Sequence, residues 1–273
     1  MGSLNVTRSV LELRSGGLPC PHRGSDGVWR YRHALRPEGP SALDRQAVTD
    51  FIGYEASYGR RVEVVADPGL ADWQAWPAAE QRPHPGAYPT QCCTHVYPDG
   101  CAARLVCHGT PAAVAERVLA EGALRCAAAV AGTPATELAA ASTWGEPPDY
   151  FEHVMLANGR CTAPEAVAAS RASGRDLVPA DLKPGYVPAV RFYFAWQELA
   201  RLPGARFDGV HPVKLHHELR LDEVLVAVIV HASQRHLAAA AGRFSDRLAV
   251  ISIERPSPQS WATEALSAAR KMA

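Results

Sequence analysis

The feature that most restricts the fold of this chain is a segment of dense proline between residues 67 and 101. It holds six prolines, two tryptophans and the adjacent pair Cys92-Cys93. Proline lacks a backbone N–H and fixes φ, so this density excludes helix interiors and central strands. We therefore interpret the segment as irregular chain or a domain joint. We predict an N-terminal region of unknown role over residues 1–100 and a second domain over 101–273.

The N-terminal region shows few regular patterns. Residues 15–45 are rich in Gly, Pro, Arg and His and have no clear hydrophobic period, so we interpret them as loops and short pieces. The alternation of Arg61-Val-Glu-Val-Val-Ala66 predicts a strand.

After Cys101 the sequence becomes regular. The predicted strands are 104–107, 151–156, 190–194, 217–221, 224–230 and 248–253, and the predicted helices are 111–121, 196–202, 233–241 and those that begin near 164 and 258. Strands outnumber the crossover helices that a doubly wound parallel sheet needs. The predicted fold class is therefore α+β, with mostly antiparallel strands.

Charge and hydropathy exclude several classes of partner. Lys and Arg together number 28, as do Asp and Glu, so the formal net charge is zero. DNA binding by phosphate neutralisation alone needs clustered cations and is disfavoured. No apolar run approaches the roughly 20 residues that span a bilayer, and the N-terminus lacks the pattern of a secretory signal. We expect no membrane partner.

The cysteine content predicts a reducing compartment. Seven cysteines are an odd number, and none forms a Cys-x-x-Cys pair. This set favours reduced thiols in a cytoplasmic protein over a disulfide framework. Delivery as an effector without a classical signal stays open.

The sharpest candidate for chemistry is Leu105-Val-Cys-His-Gly-Thr110, followed by a helical pattern that ends at Gly122. Thr110 is expected to cap this helix and Pro111 to begin it. A histidine at the exit of a strand can meet a ligand with its ring, and the next glycine lets the backbone approach closely because it has no Cβ. A buried histidine at a strand-to-helix turn is the alternative interpretation.

Together with residues downstream, this segment resembles the diphtheria-toxin and poly(ADP-ribose) polymerase type of ADP-ribosyltransferase. In that family a strand ends in His-Gly-Ser/Thr, and the next helix ends in Ile-Leu-x-x-Gly. Here Cys107-His-Gly-Thr110 is followed by Val118-Leu-Ala-Glu-Gly122. The family's tyrosine, on a later strand, is best matched by Tyr150. Its late glutamate is best matched by Glu218, with Glu223 as a rival.

The resemblance, which covers roughly residues 100–253, implies an ADP-ribosyltransferase-like fold of two packed, mostly antiparallel sheets with flanking helices. It implies NAD as co-substrate, cleavage of the nicotinamide–ribose bond and transfer of ADP-ribose to an acceptor, with Glu218 as the catalytic carboxylate. The implied NAD-binding residues are His108 on the adenosine-side ribose, the Gly109 backbone on the carboxamide, Thr110 beside it, and Tyr150 stacked on the nicotinamide ring.

The sequence leaves the acceptor open among protein, nucleic acid, nucleobase and small molecule. Arg104, Arg125 and Arg191 are candidates for phosphate contacts to NAD. A net charge of zero for the whole chain is compatible with a few arginines that bind the phosphates of a dinucleotide locally. If the acceptor is a nucleic acid, the neutral chain predicts weak, salt-tolerant binding to single bases or ends.

Two other classes of function stay open. The first is a catalytically inactive module that keeps the fold and binds NAD, in which Tyr150 is a core aromatic and Glu218 an exposed strand residue. The second is a zinc-dependent hydrolase, whose ligands would come from the cluster Cys92, Cys93, His95, Cys101, Cys107 and His108. Structural zinc sites usually space their cysteines two to four apart, which this cluster does not.

Two further motifs do not fit the chemistry that they suggest at first. His216-His217-Glu218 is not the zinc-protease motif His-Glu-x-x-His, because residue 221 is leucine. Cys107 and His108 are neighbours on a predicted strand and would face opposite sides, so a catalytic dyad is disfavoured.

Overall fold

The structure is a computed structural model that describes residues 8–15, 21–23, 28–35, 42–70, 105–142, 146–173, 179–183, 186–209 and 211–273. The contacts divide the chain into two units. The first comprises residues 1–88, 127–153 and 206–214, and the second comprises residues 89–126, 154–205 and 215–273. The domain boundary predicted at residue 100 lies outside the described residues.

The first unit contains a four-stranded sheet in the order β2-β3-β1-β4. β1 (Arg8–Ser15) pairs in parallel with both β3 (Trp29–Leu35) and β4 (Arg61–Ala66). β2 (Pro21–Arg23) lies at the edge, antiparallel to β3. β3 and β4 both run parallel to β1, and helix α1 (Ala42–Ser57) is the crossover that connects them.

One face of α1 forms the core of this unit with the sheet. Val48, Phe51 and Ile52 lie on that face, as the helical repeat requires, and pack on Leu11, Leu13 and Tyr31. The predicted strand over 61–66 is confirmed. The prediction of loops and short pieces over 15–45 allows for β2 but missed β3 and the start of α1. β3 pairs with a strand distant in sequence, and no local pattern in this Arg- and His-rich stretch indicates that partner.

The larger sheet is mixed and has the strand order β13-β12-β8-β5-β7-β10-β9 among the described residues. Its strands are β5 (Leu105–Thr110), β7 (His153–Asn158), β8 (Val190–Ala195), β9 (Ala205–Arg206), β10 (Val213–His216), β12 (Leu225–His231) and β13 (Leu248–Ile251). The central strand β5 is antiparallel to both β7 and β8. β12 is antiparallel to β8 and parallel to β13. A separate antiparallel pair joins β6 (Ala123–Arg125) and β11 (Glu218–Arg220).

Helices connect these strands, so the described chain is of mixed α and β type with a large mixed sheet, which is compatible with the predicted α+β class. The helices after α1 are α2 (Ala112–Glu121), α3 (Ala127–Ala131), α4 (Ala135–Ala141), α5 (Pro148–Phe151), α6 (Ala163–Ser173), α7 (Trp196–Ala200), α8 (Leu221–Val224), α9 (Leu237–Ala240) and α10 (Pro258–Met272). Short 3-10 turns cover Pro68–Leu70, Pro179–Leu182, Ala232–Gln234 and Gly242–Arg247.

The two ends of α2 show what the local sequence determines. Gly122 ends the helix as predicted: its φ is 70° and its N–H donates to the carbonyl of Val118 at 2.8 Å. The predicted start is wrong by one position, because β5 continues through Thr110 and Pro111 is the N-cap of a helix that begins at Ala112. Pairing of Thr110 with Val190 in the sheet explains the difference.

Helix α10 covers one face of the larger sheet. It starts at a capping box formed by Ser257 and Ser260. Its apolar residues Trp261, Ala265, Leu266 and Ala269 pack on Leu105, Cys107, Tyr193, Ala227 and Ile229 of the sheet. Side chains alternate along a strand, so His108 faces away from α10.

Gly209 gives a first prediction, because helix α1 leaves no room for a side chain there. Its φ is 72°, and a Cβ would lie 1.9 Å from the carbonyl oxygen of Ala47 and 2.8 Å from the amide nitrogen of Phe51. We expect Gly209→Ala to lower the free energy of unfolding by about 2–4 kcal/mol, from left-handed strain plus overpacking. Urea denaturation measures the loss.

The matched control is Gly59→Ala in the same unit. Gly59 has nearly the same φ of 71° with nothing within 4 Å of an added Cβ. Only the backbone strain of about 1 kcal/mol should appear there. Equal losses in the two variants would show that the contact with α1 is unimportant.

Candidate functional site

The ring of His108 is oriented by the protein. His108 lies half-buried on the central strand β5. Its Nδ1 lies 3.1 Å from the carbonyl oxygen of Met155. A carbonyl can only accept, so Nδ1 carries a proton and donates it in this contact. The tautomer and direction of the ring are therefore set before any ligand binds.

Gly109 and Thr110, the two residues after His108, lie in different surroundings. A Cβ on Gly109 would lie 2.5 Å from the Cβ of Pro164 in α6, so the glycine is needed for packing of the protein itself. Thr110 is fully buried, and its Oγ1 has no hydrogen-bond partner among the residues that the structure describes. A buried hydroxyl in this state costs free energy, which makes it a candidate for a bound partner.

Arg191, expected as a phosphate contact, is fully buried and bound by groups of the protein. Its Nε donates to the Glu165 carboxylate at 2.8 Å. Its Nη1 and Nη2 donate to the carbonyls of Gly159 and Cys161 at 3.0 and 2.8 Å. This guanidinium holds β8, α6 and the turn after β7 together, and it is not exposed to a dinucleotide.

Cys107 is a core residue. It is fully buried on the face that α10 covers, 3.5 Å from Nη1 of Arg191. Burial raises the pKa of its thiol to about 12, against the opposing effect of the Arg191 charge. A thiol that is protonated and shielded is not a nucleophile. The contrast with half-buried His108 agrees with the expectation that the two neighbours form no dyad.

Tyr150 lies in the first unit, in the helical turn α5 just before β7, and not on a strand. It is 3% exposed. The Nζ of Lys214 lies 3.7 Å from the centroid of its ring, and the His211 ring meets it edge-on at 5.9 Å. Burial raises the pKa of the Tyr150 phenol well above its usual value. Its ring face is therefore already in a cation–π contact with its own unit.

Lys214 belongs to a buried polar network in that unit. Its Nζ lies 3.1 Å from the Asp208 carboxylate and donates to the hydroxyl of Tyr54 at 2.8 Å. Asp208 also accepts from the backbone N–H of His211 at 2.6 Å, and its Oδ2 lies 2.8 Å from the His211 ring. Although burial raises the pKa of Asp208, the charges of His211 and Lys214 outweigh burial and hold that pKa well below its usual value.

The lowered pKa of Asp208 predicts how stability depends on pH. An aspartate whose pKa is lower in the folded state stabilises the fold above its unfolded value, here 3.8, and this contribution is lost as the pH falls toward the folded value. We expect the difference in free energy of unfolding between wild type and Asp208→Asn to shrink as the pH falls below about pH 4. Denaturation at a series of pH values tests this. The control is Asp246→Asn, which removes the same charge from an exposed aspartate. If the difference in free energy of unfolding between wild type and Asp208→Asn stays constant down to about pH 2.5, the expectation is contradicted.

Glu218 is exposed at the start of β11, where it pairs in register with Arg125 of β6. Its carboxylate lies 3.1 Å from Nε of Arg125 and 3.7 Å from Nη1 of Arg220. Exposed ion pairs are weak, so a ligand can compete for the carboxylate or for either guanidinium. The rival Glu223 is exposed in the helical turn α8 that follows.

Four of the five predicted site residues belong to the second unit: His108, Gly109, Thr110 and Glu218. Tyr150 belongs to the first. In the second unit, α2 leads from the His-Gly-Thr segment to Gly122, whose carbonyl accepts from the N–H of Leu221 at 2.9 Å. This hydrogen bond joins Gly122, at the end of α2, to Leu221, the residue that directly follows the strand of Glu218.

The sequence missed three polar residues that the structure makes prominent: Lys214, Glu165 and His217. Lysine is rare in this chain, with three among 28 basic residues, and this rarity was the one feature of the sequence that could have drawn attention to Lys214. Nothing local indicates that Glu165 is buried or that His217 has a left-handed backbone.

Several predicted residues lie outside the described part of the chain: Arg104 and the candidate zinc ligands Cys92, Cys93, His95 and Cys101. Within the described ranges, no three His, Cys, Asp or Glu side chains are placed to hold a metal ion. None of the described helices combines the length and the apolar character needed to cross a membrane.

Compared with protein-family models, with curated proteins and with solved structures, the chain has no significant match. Function has therefore to be inferred from the site itself.

Proposed function

We propose that the protein is an NAD-dependent ADP-ribosyltransferase that cleaves the nicotinamide–ribose bond and transfers ADP-ribose to an acceptor. The observation that carries the proposal is that the second unit contains both an oriented histidine and an exposed carboxylate. His108 presents a ring fixed by Met155. The helix that follows ends at Gly122, which is bonded beside the strand of Glu218.

The chemistry suits these two groups. As the bond between nicotinamide and ribose breaks, its electrons leave with the nicotinamide nitrogen and positive charge develops on the ribose, as in glycoside cleavage. The carboxylate of Glu218 stabilises that charge and accepts a hydrogen bond from a ribose hydroxyl. The acceptor oxygen or nitrogen then forms the new bond to the same carbon and loses its proton to solvent.

Binding of NAD is assigned to the second half of β5. His108 Nε2 accepts from a hydroxyl of the adenosine-side ribose, the Gly109 backbone holds the carboxamide, and the buried Thr110 Oγ1 gains a partner when NAD is bound. Arg125 is partly exposed beside Glu218 and is proposed for a phosphate contact. Stacking of Tyr150 on the nicotinamide stays a prediction of the resemblance and is not part of this proposed site, because Tyr150 belongs to the first unit.

The finer fold belongs to the same proposal: an ADP-ribosyltransferase-like arrangement of two packed, mostly antiparallel sheets with flanking helices. The antiparallel pairs around β5 and the antiparallel pair β6–β11 support it.

The test is transfer of label from NAD labelled in its adenylate group to a panel of acceptors: protein, single-stranded nucleic acid, nucleobases and small metabolites. Label on one class supports the proposal and names the acceptor. Calorimetric binding of NAD without cleavage or transfer would point to the inactive binding module.

A further inference from the structure

His217, the residue before Glu218, has a strained backbone. Among the described residues it is the one non-glycine with φ in the left-handed region, at 71°. A residue with a Cβ pays roughly 1–2 kcal/mol there, whereas glycine adopts this conformation freely and asparagine tolerates it. Backbone strain of this kind persists where the surroundings enforce it, and it is concentrated at functional sites.

Two polar contacts join His217 to Cys126. The Cys126 thiol lies 3.7 Å from Nδ1 of the His217 ring. The Cys126 N–H donates to the His217 carbonyl at 2.8 Å. Cys126 directly follows Arg125, the register partner of Glu218, so the two contacts close the end of the β6–β11 pair.

We propose that His217 is a positioning residue for Glu218, with its imidazole held by the Cys126 thiol and its carbonyl by the Cys126 amide. The pair fixes the direction in which β11 begins, and with it the direction of the Glu218 side chain. The inference rests on the proposed function, since Glu218 is catalytic only in that reaction. On this proposal, residue 217 is a histidine because its imidazole is needed there, although glycine would adopt the left-handed backbone with less strain.

Variants of residue 217 separate backbone strain from the side chain. His217→Gly removes both, so it should unfold at a temperature no lower than wild type. Nicotinamide release from NAD should nevertheless lose at least about tenfold in kcat with KM unchanged, because the carboxylate is misplaced while NAD binding is intact. His217→Asn tolerates the backbone and puts Oδ1 where Nδ1 stands, so it should keep kcat within about threefold of wild type.

Variants of Cys126 test the other half of the pair. Cys126→Ala removes the thiol and should reproduce the loss of kcat, whereas Cys126→Ser keeps a donor and should retain most of the activity. His236→Ala is the matched control, because His236 is an exposed histidine of the same unit. It should leave kcat unchanged.

Amide hydrogen exchange tests the contact between His217 and Cys126 without relying on enzymatic activity. The Cys126 amide, which donates to the His217 carbonyl, should exchange at least about tenfold faster in His217→Gly than in wild type or His217→Asn. Wild-type exchange or wild-type kcat in His217→Gly would overturn the inference, as would a lower unfolding temperature. If the wild-type protein releases no nicotinamide, the proposed function is overturned, and the exchange result alone decides whether His217 positions residue 218.

Discussion

Replacing Glu165 with alanine is expected to lower the free energy of unfolding by about 3–5 kcal/mol, because the charge of Arg191 would be left buried without its counter-ion. Both side chains are fully buried. Besides Arg191, the Glu165 carboxylate accepts from the Ala189 N–H at 2.8 Å and from the Tyr186 hydroxyl at 2.9 Å. Alanine leaves all three donors without this acceptor. Guanidinium denaturation of the purified chain measures the loss.

A surface pair of the same chemistry is the control. Glu198 lies 3.1 Å from Arg201, and both side chains are more than half exposed. Glu198→Ala should change the free energy of unfolding by less than about 1 kcal/mol, since water screens such pairs. Glu165→Gln keeps an acceptor for Arg191 but not the charge, and should fall between the two alanine variants. A loss below about 1 kcal/mol in Glu165→Ala would contradict a structural role for Arg191.

Replacing Glu218 with glutamine is expected to slow NAD cleavage by about 10²–10³-fold while leaving the fold intact. The carboxylate that stabilises the developing charge becomes a neutral amide of the same shape. Because Glu218 is an exposed residue in a weak ion pair, the free energy of unfolding should change by less than about 1 kcal/mol. Steady-state rates of nicotinamide release, with denaturation curves on the same preparations, measure both quantities.

Glu223→Gln is the matched control, since Glu223 is the other exposed glutamate close in sequence. It should retain the wild-type rate within about threefold. If Glu223→Gln loses activity and Glu218→Gln does not, the catalytic carboxylate is Glu223 and the assignment of Glu218 is wrong.

Local patterns predicted the elements that depend on local sequence. The strand Val190–Ala195 alternates clearly, and α10 begins at its expected proline. The N-terminal strands β1 and β3 escaped prediction because each is stabilised by parallel pairing with a distant segment. Propensity is a weak guide where tertiary pairing decides.

The candidate site divides in the same way. The His-Gly-Thr segment and the strand of Glu218 could be found from sequence because motif and strand pattern coincide there. The surroundings of Tyr150 could not be predicted from sequence. They include Lys214, whose ammonium group donates to the hydroxyl of Tyr54, 160 residues away in sequence. Arg191 was misassigned for the same reason: only the fold shows that Glu165 is buried with it.

The most direct test of the central claim is release of nicotinamide from NAD by the purified full chain. The proposed function predicts release by wild type and its loss in Glu218→Gln, with calorimetric binding of NAD retained in the variant. No release of nicotinamide by the wild type at millimolar NAD would contradict it, and binding without release would point to the inactive binding module.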